Sequence, residues 1–224
     1  MPRKRSPVFY PALIVVDMQN GFCAPGGSYE EYGGHIEADI YTYRQIIPNI
    51  ARVIATCREV RIPIFYTKQV REASGIDLFT RLHHIIPKRR AEFLRIPACV
   101  QGTWDAEILD EIRPAKGDHI VVKRRDSAFQ DTELDLWLRS SHIDTIIFTG
   151  VDTAICVDNT MMDGFNSGYD VILVKDATAS SWADLGKATL MKVRGSYGWV
   201  LTTDRLINLL HTYKSGGGAF KFPI

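Results

Sequence analysis

Short apolar runs alternate along the chain with stretches of helical periodicity. The runs fall at 12–17, 62–68, 119–123, 145–150, 170–175 and 199–202. They are rich in Val and Ile and lack a clean period-two alternation, the pattern of parallel strands covered on both faces. Between them, 36–61, 105–112, 132–140, 157–167, 183–197 and 204–213 predict helices. Asn166-Ser-Gly168, just ahead of a strand run, is a helix stop. Regular strand–helix alternation predicts an α/β fold: an open, mostly parallel six-stranded sheet with helices on both faces and right-handed crossovers. Residues 70–103 break the rhythm with two His, several basic side chains and two Pro, and predict a long excursion over the sheet.

At 224 residues the chain suits one domain, with a core of about 11–213 between a short N-terminal arm and a C-terminal tail. The opening Met-Pro-Arg-Lys-Arg-Ser has no apolar h-region behind it, because Pro7 and Pro11 interrupt it, so it reads as a solvated arm. A formal net charge of +1 gives no footing for nucleic acid. No apolar run approaches the roughly 18 residues of a membrane span. The four cysteines, Cys23, Cys57, Cys99 and Cys156, show no CxxC or metal-like spacing and predict reduced thiols in a cytoplasmic protein.

Candidate chemistry sits at the strand tips. Leu13-Ile-Val-Val-Asp17 and His119-Ile-Val-Val-Lys123 end in charged residues, and the run 144–149 leads into Gly150-Val-Asp-Thr-Ala-Ile-Cys156. Sites in open α/β sheets form at the carboxyl ends of strands. A charged residue ending one strand is ordinarily a solvated terminus; an acid, an amine and a thiol at three such ends form a working set. Asp17 can take the thiol proton, Cys156 can attack an electrophilic carbon, and Lys123 can orient the carboxylate and steady the anions. A thiol at a helix N-terminus is further expected to have a lowered pKa. No GxGxxG follows the first strand, so dinucleotide binding is unsupported.

Several motifs together resemble the isochorismatase-like cysteine hydrolases across roughly residues 11–210. They are Ile14-Val-Val-Asp-Met-Gln-Asn20, Gly102-Thr-Trp-Asp105, Val122-Lys123 with Ser127-Ala-Phe129, and Gly150-Val-Asp-Thr-Ala-Ile-Cys-Val157. Pro25-Gly-Gly27 and Tyr197-Gly198-Trp199 resemble the branch of N-carbamoylsarcosine, ureidoacrylate and biuret-type amidohydrolases. The resemblance implies a Rossmann-like sheet and a catalytic triad of Asp17, Lys123 and Cys156. It also implies a cis peptide at Val151–Asp152, and an oxyanion hole from the backbone N–H groups of Asp152 and Cys156. Position 152 is commonly small or uncharged in the family, whereas Asp stands here.

The implied reaction is hydrolysis of a small ureido or carbamoyl C–N bond through a thioester or S-carbamoyl enzyme, with release of ammonia. Gln19, Phe22, Trp104 and Arg194 are candidate substrate contacts, with Lys88, Arg89 and Arg90 as further basic candidates. Nicotinamidases of the family add a metal held by an Asp and two His. Asp77, His83 and His84 lack that spacing, so neither metal nor cofactor is expected. The partners implied are a small-molecule substrate and a second copy of the chain, as a homo-dimer or homo-tetramer. Rival readings are a nicotinamidase-like amidase, an isochorismatase-type vinyl-ether hydrolase and a non-catalytic thiol redox module.

Overall fold

The computed structural model describes residues 9–31, 39–77 and 98–215, with the side chains of 213–215 left aside. Six strands form one all-parallel sheet: β1 (Pro11–Val16), β2 (Ile64–Gln69), β3 (His119–Lys123), β4 (Thr145–Val151), β5 (Asp170–Ala179) and β6 (Trp199–Leu201). Their order across the sheet is β3-β2-β1-β4-β5-β6. The principal helices are α1 (Asn20–Cys23), α2 (Ile40–Arg44), α3 (Ile47–Val60), α4 (Leu134–Ser140), α5 (Asp158–Asn166), α6 (Ala183–Lys192) and α7 (Thr203–Ser215). No helix among the described residues is long and apolar enough to cross a membrane.

Successive residues of β1 feed opposite faces. Leu13 and Val15 join a core with Ile50, Val53 and Cys57 of α3 and Leu206 of α7. Ala12, Ile14 and Val16 join a second core with Leu138 of α4 and Met161 of α5. Both faces of the central strands are therefore covered, which explains their unbroken apolar runs. The edge strand β3 departs from that expectation. Val121 and Lys123 are buried, while Ile120 and Val122 are 45% and 48% exposed.

Two predicted helices take other forms. The stretch 36–61 contains separate helices α2 and α3, because Pro48 sits in the first turn of α3 and cannot supply the N–H that a continuous helix needs there. The stretch 105–112 forms two 3-10 turns, Trp104–Ala106 and Asp110–Ile112. Its backbone is bonded elsewhere: Asn20 donates its N–H to the Glu107 carbonyl, and Leu109 donates to the Met18 carbonyl. Pairing with the chain that leaves β1 replaces local i→i−4 bonds.

The sheet reverses its winding direction between β1 and β4, and the crevice there opens at their carboxyl ends. Gly150 of β4 pairs there with Val16 of β1 and has φ +103°. A Cβ at Gly150 would lie 2.1 Å from the Val16 carbonyl oxygen. Gly150→Ala should therefore destabilise the fold by about 3 kcal/mol or more in urea unfolding, through backbone clash added to an unfavourable φ. Gly117 has a similar φ of +102° but open space around it, so Gly117→Ala should lose only about 1–2 kcal/mol.

Candidate active site

Asp17 follows the last residue of β1 in a left-handed conformation, φ 50°. Its N–H donates to Thr67 Oγ1 at 3.1 Å, and the Thr67 hydroxyl donates back to Asp17 Oδ1 at 2.5 Å. Thr67 lies on the adjacent β2, so this reciprocal pair fixes the carboxylate from both ends. Lys123 ends β3 and reaches back across β2, bringing Nζ to 2.8 Å from Asp17 Oδ2, with both side chains essentially sealed from solvent. The same ammonium donates to Gln69 Oε1 at 2.5 Å and to the carbonyls of Arg125 and Asp126 at 3.0 and 3.1 Å. Its three protons are thereby directed at neutral acceptors. Asp17 Oδ2 is left in charge contact with Lys123 but without a well-directed hydrogen bond of its own. Burial works against the Lys123 charge, yet Asp17 and then Cys156 outweigh it, so the lysine's pKa is raised and it stays protonated.

Cys156 rides on the π-helical turn Thr153–Val157, between β4 and α5. Its Sγ is half-buried and 4.0 Å from Gln69 Oε1. Burial pushes the thiol well above its ordinary range; Lys123 pulls it down, and the Asp17 charge pushes it up again. This differs from the lowered pKa expected at a helix N-terminus, because desolvation and a neighbouring carboxylate raise it. With its pKa raised, the resting group is a thiol.

The Val151–Asp152 peptide bond is cis. The Asp152 side chain is buried and points into neighbouring structure: Oδ1 accepts from the Ala154 N–H at 2.8 Å, and Oδ2 accepts from the Tyr43 hydroxyl at 2.8 Å and the Ser181 N–H at 3.0 Å.

Gln69 did not stand out in the sequence. It ends β2 one residue beyond the predicted strand, and, being uncharged, it falls outside the charged strand-tip criterion that selected Asp17 and Lys123. Its amide oxygen links Lys123 to the thiol, and Gln19 holds its backbone. Gln19 Nε2 donates to the Gln69 and Ala106 carbonyls, each at 3.0 Å, and Gln19 Oε1 accepts from the Gln69 N–H at 2.7 Å. With both amide hydrogens committed to backbone, Gln19 is a clamp between loops and not the substrate contact expected of it. Phe22 lies in the core, edge-on to Tyr29 with ring centroids 4.7 Å apart, so it is core filling where a pocket wall was expected.

Trp104 is exposed, and its carbonyl accepts from Asn20 Nδ2 at 2.9 Å. Arg194 is exposed on a second π-helical turn, Val193–Tyr197. Asp105, from the same motif as Trp104, ties loops together by accepting from the N–H and hydroxyl of Ser28 and from the Cys99 N–H. Asp77 pairs with Arg124. His83, His84, Lys88, Arg89, Arg90, most of the predicted excursion and the C-terminal tail lie outside the described residues.

The isochorismatase domain matches residues 11–205, which span every strand and the whole constellation. The chain belongs to the isochorismatase family. It is 33% identical over 216 residues to the ureidoacrylate amidohydrolase RutB of Yersinia enterocolitica, covering 91% of this chain and 92% of that protein. A cysteine hydrolase from Pseudomonas syringae pv. phaseolicola is similar in structure, with a TM-score of 0.78, 27% identity, and coverage of 95% of this chain and 99% of that one. The N-carbamoylsarcosine amidase of Thermoplasma acidophilum superposes with a TM-score of 0.66 at 27% identity, over 88% and 98% of the two chains. The protein is thus an isochorismatase-family hydrolase with that family's six-stranded parallel sheet.

The electrostatics of this isochorismatase-family site give a sign that alkylation can test. The Asp17 carboxylate raises the Cys156 pKa and Lys123 lowers it. Asp17→Asn should therefore lower the thiol's pKa and speed iodoacetamide alkylation of Cys156 at pH 7. In the wild-type protein, the alkylation rate should still be climbing above pH 9. A slower reaction in Asp17→Asn, or a wild-type plateau near neutrality, would contradict the arrangement.

Proposed function

We propose that the protein is a cysteine-dependent amidohydrolase that cleaves a C–N bond of a small ureido or carbamoyl compound and releases ammonia. The observation that carries this reading is the buried Asp17–Lys123 ion pair beside the Cys156 thiol, whose pKa the carboxylate raises and the ammonium lowers. A redox sensor has no use for that pairing, whereas a nucleophile with a general base requires it. The named activities of the Yersinia and Thermoplasma proteins, on ureidoacrylate and N-carbamoylsarcosine, support the ureido and carbamoyl class.

In the proposed cycle, Asp17 takes the thiol proton as Sγ bonds to the substrate carbonyl carbon. Lys123 holds the Asp17 carboxylate in position and stays charged throughout. The backbone N–H groups of Asp152 and Cys156 are assigned to the carbonyl oxygen as it becomes an oxyanion. Collapse of the tetrahedral species breaks the C–N bond, and the departing nitrogen takes the proton from Asp17 and leaves as ammonia. A water then gives a proton to Asp17 while its oxygen bonds to the S-carbamoyl carbon. Cleavage of the C–S bond, with return of the proton to sulfur, releases the carbamate or carboxylate and regenerates the thiol. A proton moves between sulfur and carboxylate, so no net charge enters or leaves the site before ammonia departs.

Ammonia release should be measured across a panel of N-carbamoyl amino acids, ureidoacrylate, biuret and simple amides. Turnover is expected for ureido or carbamoyl members, with a loss of about a thousandfold or more in Cys156→Ala and an unchanged circular dichroism spectrum. Undiminished hydrolysis by folded Cys156→Ala would remove the reading.

A further inference from the structure

The carboxylate of Asp152 is buried, and among the described residues it pairs with no cation. It is satisfied by three neutral donors instead, which come from three different parts of the fold. Ala154 N–H, from the turn that carries Cys156, donates to Oδ1. Tyr43 on α2 and the backbone of Ser181, between β5 and α6, donate to Oδ2. The Ser181 hydroxyl in turn donates to the Tyr43 oxygen at 2.9 Å. Tyr43 is 2% exposed, and burial followed by the Asp152 charge drives its pKa well up, so its hydroxyl remains a donor. The main chain of Asp152 completes the picture: its carbonyl accepts from the N–H groups of Ile155 and Val157, each at 3.1 Å. Asp152 thus accepts from three amides of the five-residue turn Thr153–Val157.

The geometry points to Tyr43 as a positioning residue that acts through Asp152 on the Cys156 turn, a role that rests on the thiol-nucleophile reading above. Asp152 caps the turn, and Tyr43 together with Ser181 fixes the carboxylate that does the capping. Without the Tyr43 hydroxyl, Oδ2 keeps one donor and the carboxylate is free to rotate about its Cβ–Cγ bond, loosening its hold on the Ala154 N–H. The sulfur's acidity is set from the other side, by Asp17 and Lys123. Loss of Tyr43 should therefore alter where the sulfur sits and leave its proton affinity in place. An acid at position 152 fits this role: an uncharged small side chain could not accept from Tyr43, Ser181 and Ala154 together.

The test uses the full chain as wild type, Tyr43→Phe, Asp152→Asn and the double variant. Tyr43→Phe should lower kcat for ammonia release about tenfold, since small displacements of a nucleophile carry costs of that size or larger. KM should stay within about twofold, and the pH dependence of Cys156 alkylation should stay at its wild-type position. Amide hydrogen exchange of peptides covering 153–157 should quicken. Asp152→Asn keeps an acceptor for Ala154 but turns an NH2 toward the Ser181 N–H, so it should fall further. The double variant should be no worse than Asp152→Asn alone, because both changes break one linkage.

Wild-type kcat and exchange in Tyr43→Phe, or losses that multiply in the double variant, would overturn the role. A lower melting temperature with kcat unchanged would do the same, since it marks packing alone. The exchange measurement needs no substrate. Undiminished hydrolysis by Cys156→Ala would thus count against the nucleophile reading, while the linkage of Tyr43 to the turn would still be judged by exchange.

Discussion

The site depends on one buried ion pair, Lys123 with Asp17, which spans three strand ends at the sheet's crevice. Removing two charges from water costs several kcal/mol per ion, and attraction repays this only when the remaining hydrogen-bonding capacity is also met. Here it is met almost completely. Three neutral oxygens take the ammonium's protons, and the Thr67 hydroxyl takes one carboxylate oxygen. Because folding raises the Lys123 pKa, the stabilisation from this pairing is fully present below the pKa of a free lysine. It is lost as pH rises through the higher folded value. The exception to full satisfaction is Asp17 Oδ2, the oxygen left with room for a proton.

That exception organises the chemistry. A thiolate held permanently beside Lys123 would be a stable ion pair and a weaker nucleophile. In the proposed cycle a thiol held up by burial and by Asp17 gives up its proton only as the carbon–sulfur bond forms, to the neighbouring carboxylate. The surrounding scaffold serves this exchange from separate directions. Gln19 pins Gln69, Gln69 orients the ammonium, and Asp152 caps the turn that presents sulfur.

The sheet was legible because central parallel strands, buried on both faces, leave apolar runs that period alone detects. Asp17, Lys123 and Cys156 were legible for a related reason: each interrupts or follows such a run. What escaped reading has physical causes. Gln69 is an uncharged residue one position beyond the apparent end of its strand. The stretch 105–112 has helical composition, but its backbone is bonded to residues 18–20, nearly 90 positions away. Gln19 and Phe22 lie beside Asp17 in sequence, yet their side chains serve the loop and the core. The environment of Asp152 was unreadable because its partners Tyr43 and Ser181 are brought to it only by the folded chain. The direction of the Cys156 shift was missed because a local rule for helix termini carries no information about burial.

In the proposed cycle sulfur, and not water, makes the first bond to substrate carbon. Hydroxylamine trapping during turnover of a ureido substrate tests it most directly. A carbamoyl group on Cys156 should partition between water and hydroxylamine, giving an N-hydroxyurea product in proportion to hydroxylamine while ammonia release continues. Complete conversion to the water product alone, at hydroxylamine concentrations that trap authentic thioesters, would contradict the account.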